Sequence, residues 1–338
     1  MPDALQPRRH QPKIMVLYNE NPGWPQSDIN TADAMVATMA AGLREHHYTF
    51  ELVKYFDDLS VLDRFDPHEW LIWNWGEELA GRPWTEAAVA EALEQRGFAY
   101  TGAPPAVFTL TQNRLQVKEC LRAAGLPTLE ARAFSDPAQA AEWRQFPAIV
   151  KGLNQHSSYG IGPESVVDDA AALAGRIAYL RQHINDDALV EPFLDTREFH
   201  VAVWGNRTPE ALPPLELDYA AFDDMRDRLY TYAWKFDTAS RGYNEIKNTC
   251  PAPLDRPDWR ARLEAVAIAA YQATGLRDFG RVDLRMLGDE PQILDVNANP
   301  DLDVTSVLPR GATALGLGFG QMVDRIIQYA AERMPAAV

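Results

Sequence analysis

Residues 280–303 read GRVDLRMLGDEPQILDVNANPDLD, with Asp283 and Asp295 on either side of a polar break at Gly288-Asp289-Glu290. Both flanks alternate apolar and polar residues with the period of two that marks half-buried strands. A hairpin with a three-residue loop centred on Asp289 brings Asp283 opposite Asp295. One face then carries Arg281, Arg285 and Asn297 beside the aspartates, and the other carries Val282, Leu284, Leu294 and Val296. Directly opposed strand residues have Cβ atoms about 4.5–5.5 Å apart, where like charges are destabilising. Something positive must compensate. Two readings of the pair stand side by side: ion pairs with Arg281 or Arg285, or a magnesium pair to which Asn297 adds a neutral oxygen. Magnesium usually holds substrate phosphates as well, so the second reading demands a nucleotide site elsewhere in the chain.

Such a site is offered by AIVKGLNQHSSYGIG, where Lys151 ends a strand and the following loop supplies Ser157, Ser158, Gly160 and Gly162. Backbone amides and serine hydroxyls of a glycine loop can wrap phosphate oxygens while a lysine neutralises them. The loop is not a Walker A motif, which runs straight into a helix. In ALVEPFLDTREF, Glu191 stands beside Phe193 and Leu194, with Glu198 further on; an apolar slot flanked by carboxylates suits an adenine and a ribose diol. Taken alone, each segment is as well explained by a turn or by surface glutamates. A second glycine run, GLGFG at 316–320, lacks a preceding strand and is read as a loop entering the last helix.

Upstream, the apolar runs KIMVLY, FELVKYF, WLIWNW and FAYTG alternate with the helical patterns TADAMVATMAAGLREH and WTEAAVAEALEQRG, which predicts an α/β domain with a mostly parallel sheet to about residue 102. TQNRLQVKECLRAAG reads as a helix with Thr111 as N-cap and Gly125 as its stop. PAIVKGL is a strand, and DDAAALAGRIAYLRQH a helix capped by Asp168. ALVEPFL and REFHVAVWGN are strands separated by a short polar turn. Residues 220–250 are too long and polar for a tight connection and suggest a lid or binding loop. Helices follow over 256–276 and 321–333.

The 338 residues suggest two or three domains. With 46% hydrophobic residues and nine tryptophans the chain has the apolar content of an ordered globular protein. Its 48 acidic and 32 basic residues leave a charge of -16, which repels nucleic acid and anionic membrane surfaces. No apolar run reaches 18 residues, so no membrane span is expected, and the simplest compartment is the cytoplasm. Cys120 and Cys250 are too few and too far apart for a zinc site or a disulfide framework. Residues 1–12 are expected to be a mobile lead-in.

Taken in order, Lys151, the Ser/Gly loop, Glu191, the long loop with Lys235, Asp283 and Asp295-x-Asn297 resemble the ATP-grasp superfamily and, within it, the D-alanine:D-alanine ligases. The similarity runs from about Thr101 to the end, through YTGAPP, AAGLPT, FPAIVK, FGRVDLR and ILDVNANP. It implies an α/β (α+β ATP-grasp) fold: a Rossmann-like N-terminal domain over 1–102, a small lid subdomain over 103–190 and an antiparallel-sheet catalytic domain over 191–338. It also implies ATP-dependent joining of a carboxylate to an amine, both amino acids, through an acylphosphate. Arg114 and Lys151 would hold ATP phosphates, Ser157 and Ser158 the lid, and Glu191, Phe193, Leu194 and Glu198 would frame adenosine. Lys235 would close over the γ-phosphate. Asp283, Asp295 and Asn297 would bind two magnesium ions, manganese being an alternative; Arg281 would neutralise the oxyanion of the tetrahedral intermediate, and Ser306 would take the second substrate's carboxylate.

Arg114 stands where the family usually has lysine, and Asp295 where it has glutamate. Gln155, Phe236 and Asp301 replace a glutamate, a tyrosine and a glycine around the substrates, and NPGWPQSDIN replaces the early loop that carries a substrate-binding glutamate. The resemblance therefore points to ATP chemistry, with D-alanine:D-alanine ligase the nearest activity. The same scaffold joining a different carboxylate to an amino acid, or a nucleotide-binding protein without ligase activity, are the alternatives. The family also implies a homodimer.

Overall fold

The computed structural model describes residues 11–335, so all but the last two residues of the expected lead-in lie outside it. The chain divides into two compact units, residues 1–105 with 316–338, and residues 106–315. In the first unit β1 (Lys13–Asn19), β2 (Phe50–Tyr55), β3 (Trp70–Trp75) and β4 (Ala99–Tyr100) form a parallel sheet in the order β2-β1-β3-β4. Its central strands are nearly continuous apolar runs, Ile14 to Leu17 and Leu71 to Trp73, all buried, as a parallel sheet covered on both faces requires. Helices Gln26–Glu45 and Glu86–Gln95 make the crossovers. The last helix, Phe319–Ala331, follows the GLGFG run as expected, yet it belongs to this unit and not with residues 191–315. It packs on Gln26–Glu45, where a Cβ at Gly42 would lie 3.2 Å from Gly320 Cα. Tyr48 Oη donates to Asp324 at 2.7 Å, and Arg333 donates to the Tyr100 carbonyl at 2.7 Å.

The second unit holds two antiparallel sheets. The smaller contains β5 (Arg132–Phe134), β6 (Ala148–Gly152), β7 (Val166–Val167) and β8 (Ala188–Pro192) in the order β5-β8-β6-β7, with Leu173 and Ile177 of helix Ala170–Tyr179 packed against Val150 and Val190. The larger contains β9 (Glu198–Trp204), β10 (Glu210–Ala211), β11 (Leu215–Asp218), β12 (Lys247–Thr249), β13 (Phe279–Leu287) and β14 (Glu290–Asn297), ordered β12-β11-β9-β13-β14 with β10 on β9. Every residue of β9 is buried, with helices Trp259–Ala273 and Val307–Ala314 packed on it. ALVEPFL and REFHVAVWGN are thus not a hairpin: β8 and β9 lie in different sheets, and residues 193–197 carry the chain between them.

Two local expectations are corrected. Asn113, not Thr111, caps helix Arg114–Ala123, its side chain accepting from Gln116 N at 3.0 Å, because Thr111 lies inside the preceding helix. Asp169, not Asp168, caps Ala170–Tyr179 by accepting from Ala172 N at 2.8 Å, while Asp168 pairs with Arg226. Residues 220–250 are folded, into Tyr232–Phe236, Arg241–Glu245 and β12.

The hairpin of 280–297 reaches the expected pairing by a different route. Its loop is the two residues Gly288-Asp289, with Gly288 at φ 62°, so Leu287 faces Glu290 and Leu284 faces Ile293. A register displaced by one residue would flip every later side chain to the wrong face. A β-bulge between Asp283 and Leu284 undoes that displacement, and Asp283 faces Asp295. Ile293 takes the core position expected of Leu294, which is left half-buried. Ile293 is fixed there by its amide on the Pro127 carbonyl at 2.9 Å and by Thr128 Oγ1 donating to its carbonyl at 2.9 Å. Across the pair, a Cβ at Gly280 would stand 2.7 Å from Leu276 Cδ1 and 3.2 Å from the Asn297 carbonyl. Gly280→Val should therefore destabilise the unit by about 1–3 kcal/mol through overpacking; an unchanged urea midpoint would contradict this packing.

Candidate active site

Asp283 and Asp295 leave β13 and β14 on one face, and each carboxylate has its own guanidinium. Arg281 grips Asp283 with two bonds, Nε to Oδ1 at 2.7 Å and Nη2 to Oδ2 at 3.0 Å. Arg114, from the helix Arg114–Ala123, donates to Asp295 Oδ2. Against the effect of burial, Arg281 and then His200 hold the Asp283 carboxyl below the ordinary carboxylate value, and Arg114 does the same for Asp295. Both are ionised at neutral pH, so the pair offers hard anionic oxygens. Asn297 Nδ2 donates to Asp283 Oδ2 at 3.2 Å, which leaves its amide oxygen for a cation. Among the described residues no group of three or more His, Cys, Asp or Glu side chains forms a metal cage. Two carboxylates and an amide are nonetheless the protein's usual share at a magnesium site completed by waters and phosphates. The ion-pair reading describes the side chains as they stand, with Arg281 as partner of Asp283; Arg285 is engaged elsewhere.

Arg114 also joins this pair to the phosphate loop, because its Nη2 donates to the Gln155 carbonyl at 2.7 Å and its amide to the Leu153 carbonyl at 3.1 Å. The start of that loop is pinned by Asp186, which accepts from Asn154 N at 2.8 Å and Asn154 Nδ2 at 2.9 Å. Ser157 and Ser158 both take left-handed backbone conformations, at φ 53° and 61°. Strain of about 1–3 kcal/mol per such residue persists where surrounding structure enforces it, as at ligand clamps. Ser158 Oγ donates to the Tyr230 carbonyl at 2.8 Å and accepts from Lys235 Nζ at 2.8 Å. The long segment and the phosphate loop therefore meet through one hydroxyl. Burial, and then Arg281, pushes the Lys235 ammonium down to about 8.

Lys151 Nζ reaches Glu191 Oε2 at 3.0 Å, and Lys118 Nζ reaches Glu191 Oε1 at 2.5 Å. Lys118 was not among the expected residues. It lies four positions after Arg114 on the same helix, a spacing that places both on one face, and it is anchored by Thr128 Oγ1 at 3.0 Å and the Ile293 carbonyl at 3.3 Å. Phe193 is buried with Ile149, Val166 and Leu229, an apolar cluster shared by the small sheet, the inter-sheet connection and the long segment. The Glu198 carboxylate is taken up by Arg285, His200 and Tyr219.

The substrate-side residues are less gathered. Gln155 covers Gly152, where a Cβ would meet its Cγ at 2.5 Å. Phe236 closes helix Tyr232–Phe236, and its side chain lies outside the described residues. Asp301 is exposed and accepts from Asp303 N at 2.9 Å. Ser306 precedes Val307–Ala314 without a side-chain capping bond, so the simple role of a helix cap does not account for it.

The first unit carries a polar cluster of its own at the carboxyl ends of its strands. Asn19 and Tyr55 are buried, and Asn19 Nδ2, Tyr55 Oη and Glu78 Oε1 have no hydrogen-bond partner. Asn19 Oδ1 accepts from Glu77 N at 2.9 Å, and Tyr55 Oη sits over Gly76, where a Cβ would be 2.3 Å away. Burial, then Glu77, Glu78 and Glu86, raises the Tyr55 phenol. Ligands of open parallel sheets bind outside this end of the strands.

With this geometry in view, residues 124–328 match the family described as D-ala D-ala ligase C-terminus. A D-alanine–D-alanine ligase of Desulfovibrio desulfuricans is 31% identical over 90% of this chain and 94% of its own length. The chain belongs to the D-alanine–D-alanine ligase family. An uncharacterised Sinorhizobium fredii protein is 28% identical over 92% of the chain and 89% of its own length. The crystal structure of a Bacillus anthracis D-alanine–D-alanine ligase complexed with ATP matches the fold with a TM-score of 0.71 at 18% identity, covering 95% of this chain and 98% of that one. Among the described residues no helix is long and apolar enough to cross a membrane.

Two pH effects follow for this ligase-family chain. Lys235 loses its charge above about 8, so kcat/KM for ATP should fall there, and Lys235→Arg should carry the plateau to higher pH; a flat profile to pH 10 would contradict a phosphate-facing Lys235. Glu86 is raised to about 7 by burial and by Glu77. A carboxyl raised above its unfolded value of about 4.3 favours folding fully below that value, and the advantage is lost as pH rises through the folded value. Relative to Glu86→Gln, the native chain should lose stability between pH 5 and 8. Equal differences in urea midpoint at the two pH values would exclude this.

Proposed function

We propose that the two aspartates, the phosphate loop and Lys235 form the centre at which ATP activates one amino acid's carboxylate for attack by the amine of another. As a member of its family the chain is an ATP-dependent carbon–nitrogen ligase that releases ADP and phosphate. D-alanine–D-alanine ligase is the nearest named activity. The observation that carries the reading is the Arg114 side chain, which holds Asp295 and the Gln155 carbonyl together and so unites the acid pair with the phosphate loop.

Arg114 and Lys151 neutralise ATP phosphates, and Ser157 and Ser158 close over them with Lys235 at the γ-phosphate. Glu191, Phe193 and Leu194 surround the adenine, and Glu198 stands at the start of the strand that follows them. Asp283, Asp295 and Asn297 would hold two magnesium ions, or manganese. When bound, such ions supply charge neutralisation at the transferring phosphoryl group. A carboxylate oxygen attacks the γ-phosphorus and ADP leaves; the amine then attacks the acyl carbon and phosphate departs with that oxygen. Arg281 faces the charge that develops on the acyl oxygen between the two events. Exclusion of water by the long segment protects the acylphosphate from hydrolysis. Ser306 takes the carboxylate of the amine substrate.

The early glutamate expected of the family is absent from NPGWPQSDIN. Gln155 and the exposed Asp301 favour a second reading of the same chemistry, in which the substrates are not two D-alanines. A homodimer rests on the resemblance alone. A nucleotide-binding protein without ligase activity is separated from both by substrate-dependent turnover.

Substrate-dependent ADP release across D- and L-amino acids, with product mass, tests the reading. Turnover by D-alanine alone supports the nearest activity, turnover only by another pair supports the second reading, and no substrate-dependent release sinks both. Asp283→Asn and Asp295→Asn should each lower turnover by about 100-fold or more, the worth of a few kcal/mol of charge stabilisation. Undiminished turnover in either variant, or in EDTA, would refute the magnesium assignment.

A further inference from the structure

The family resemblance makes Glu198 the acceptor for a ribose diol, but most of its acceptor sites are already taken. Oε2 accepts from Arg285 Nε at 2.9 Å and from Tyr219 Oη at 3.2 Å, with Arg285 Nη2 2.8 Å away in the same ion pair, and Oε1 meets His200 Nε2 at 3.0 Å. A carboxylate has about four lone-pair sites, so three hydrogen-bond partners leave one site, on Oε1, and no capacity for both hydroxyls of a diol. Arg285 in turn is not a partner that solvent or ligand can draw away. It is 3% exposed, its Nη1 donates to the Leu194 carbonyl and its Nη2 to the Arg228 carbonyl at 2.5 Å. Its guanidinium lies over the rings of Phe193 and Tyr219, at 5.1 and 5.6 Å from their centroids. Releasing Glu198 to a ligand would leave a buried cation without its counter-charge, which is far costlier than one ordinary hydrogen bond gained.

The same guanidinium touches three segments: β9 at Glu198, the connection between the sheets at Leu194, and the long segment at Arg228. We infer that Glu198 and Arg285 are positioning residues that fix the adenine connection and the long segment to the large sheet, and that this chain does not read the nucleotide's ribose hydroxyls through Glu198. The inference rests on the ATP reading above and narrows it, with nucleotide recognition left to the base slot and the phosphate groups. A site built to hydrogen-bond a hydroxyl rejects an analogue lacking it by large factors, whereas a site whose acceptor is already satisfied has no such penalty to impose.

Isothermal titration of the full chain with ADP and with 2′,3′-dideoxy-ADP, each with magnesium, decides the matter without any need for turnover. The native chain should bind the two within about fivefold. Glu198→Gln should weaken both by the same factor, because the loss is one of positioning, and the ratio between them should stay where it was. Discrimination of more than tenfold in the native chain that vanishes in Glu198→Gln would overturn the inference and leave the ATP reading intact. Binding of neither nucleotide would overturn the ATP reading itself and this inference with it. Should Glu198→Gln fail to fold, the ratio in the native chain decides, and discrimination above tenfold stands against the inference.

Discussion

Two like charges opposed across a strand pair must be neutralised, and the arrangement that neutralises Asp283 and Asp295 orders much of the second unit. Arg281 answers Asp283 from its own strand, two residues away on the same face. Arg114 answers Asp295 from a helix 181 residues earlier in the chain, and in doing so holds the phosphate loop against the larger sheet. The acid pair is therefore more than a pair of ligands. It is the electrostatic reason that the small and large sheets of this unit share a site.

A second charged knot repeats the logic under the adenine segment. Glu191 is buried between Lys118 and Lys151, and Glu198 between Arg285 and His200. An isolated buried charge is expensive, whereas a paired and hydrogen-bonded one is tolerated. The two lysines on Glu191 differ in kind. Lys118 is also bound to Thr128 and the Ile293 carbonyl, while Glu191 is the only hydrogen-bond partner that Lys151 has on its side chain among the described residues. Lys151 is thus held by fewer bonds than Lys118, as the proposed role at a phosphate requires, and Lys118 stays on Glu191.

Much of this was legible in the chain. The alternation on either side of Gly288-Asp289 identified the hairpin and the facing aspartates, and the apolar runs of the first unit identified its parallel strands. The bulge at Asp283/Leu284 was not legible, since an apolar Ile293-Leu294 pair permits either residue to face the core and only the turn length chooses between them. Asn113 against Thr111, and Asp169 against Asp168, are choices between neighbouring capable caps that tertiary contacts settle. Lys118 escaped notice because a buried charge in a helix has no local signature; its partner Glu191 lies far away in sequence. Gln155, Phe236 and Asp301 depart from the family pattern at positions where local chemistry says little about what the substrate is.

The central claim is that this site makes an acylphosphate with ATP and passes the acyl group to an amine. Transfer of label from a carboxylate-18O substrate, using whichever pair supports ADP release, tests it most directly. The account predicts that each phosphate released carries one oxygen from the carboxylate. Phosphate free of the label, released alongside ADP, would contradict it.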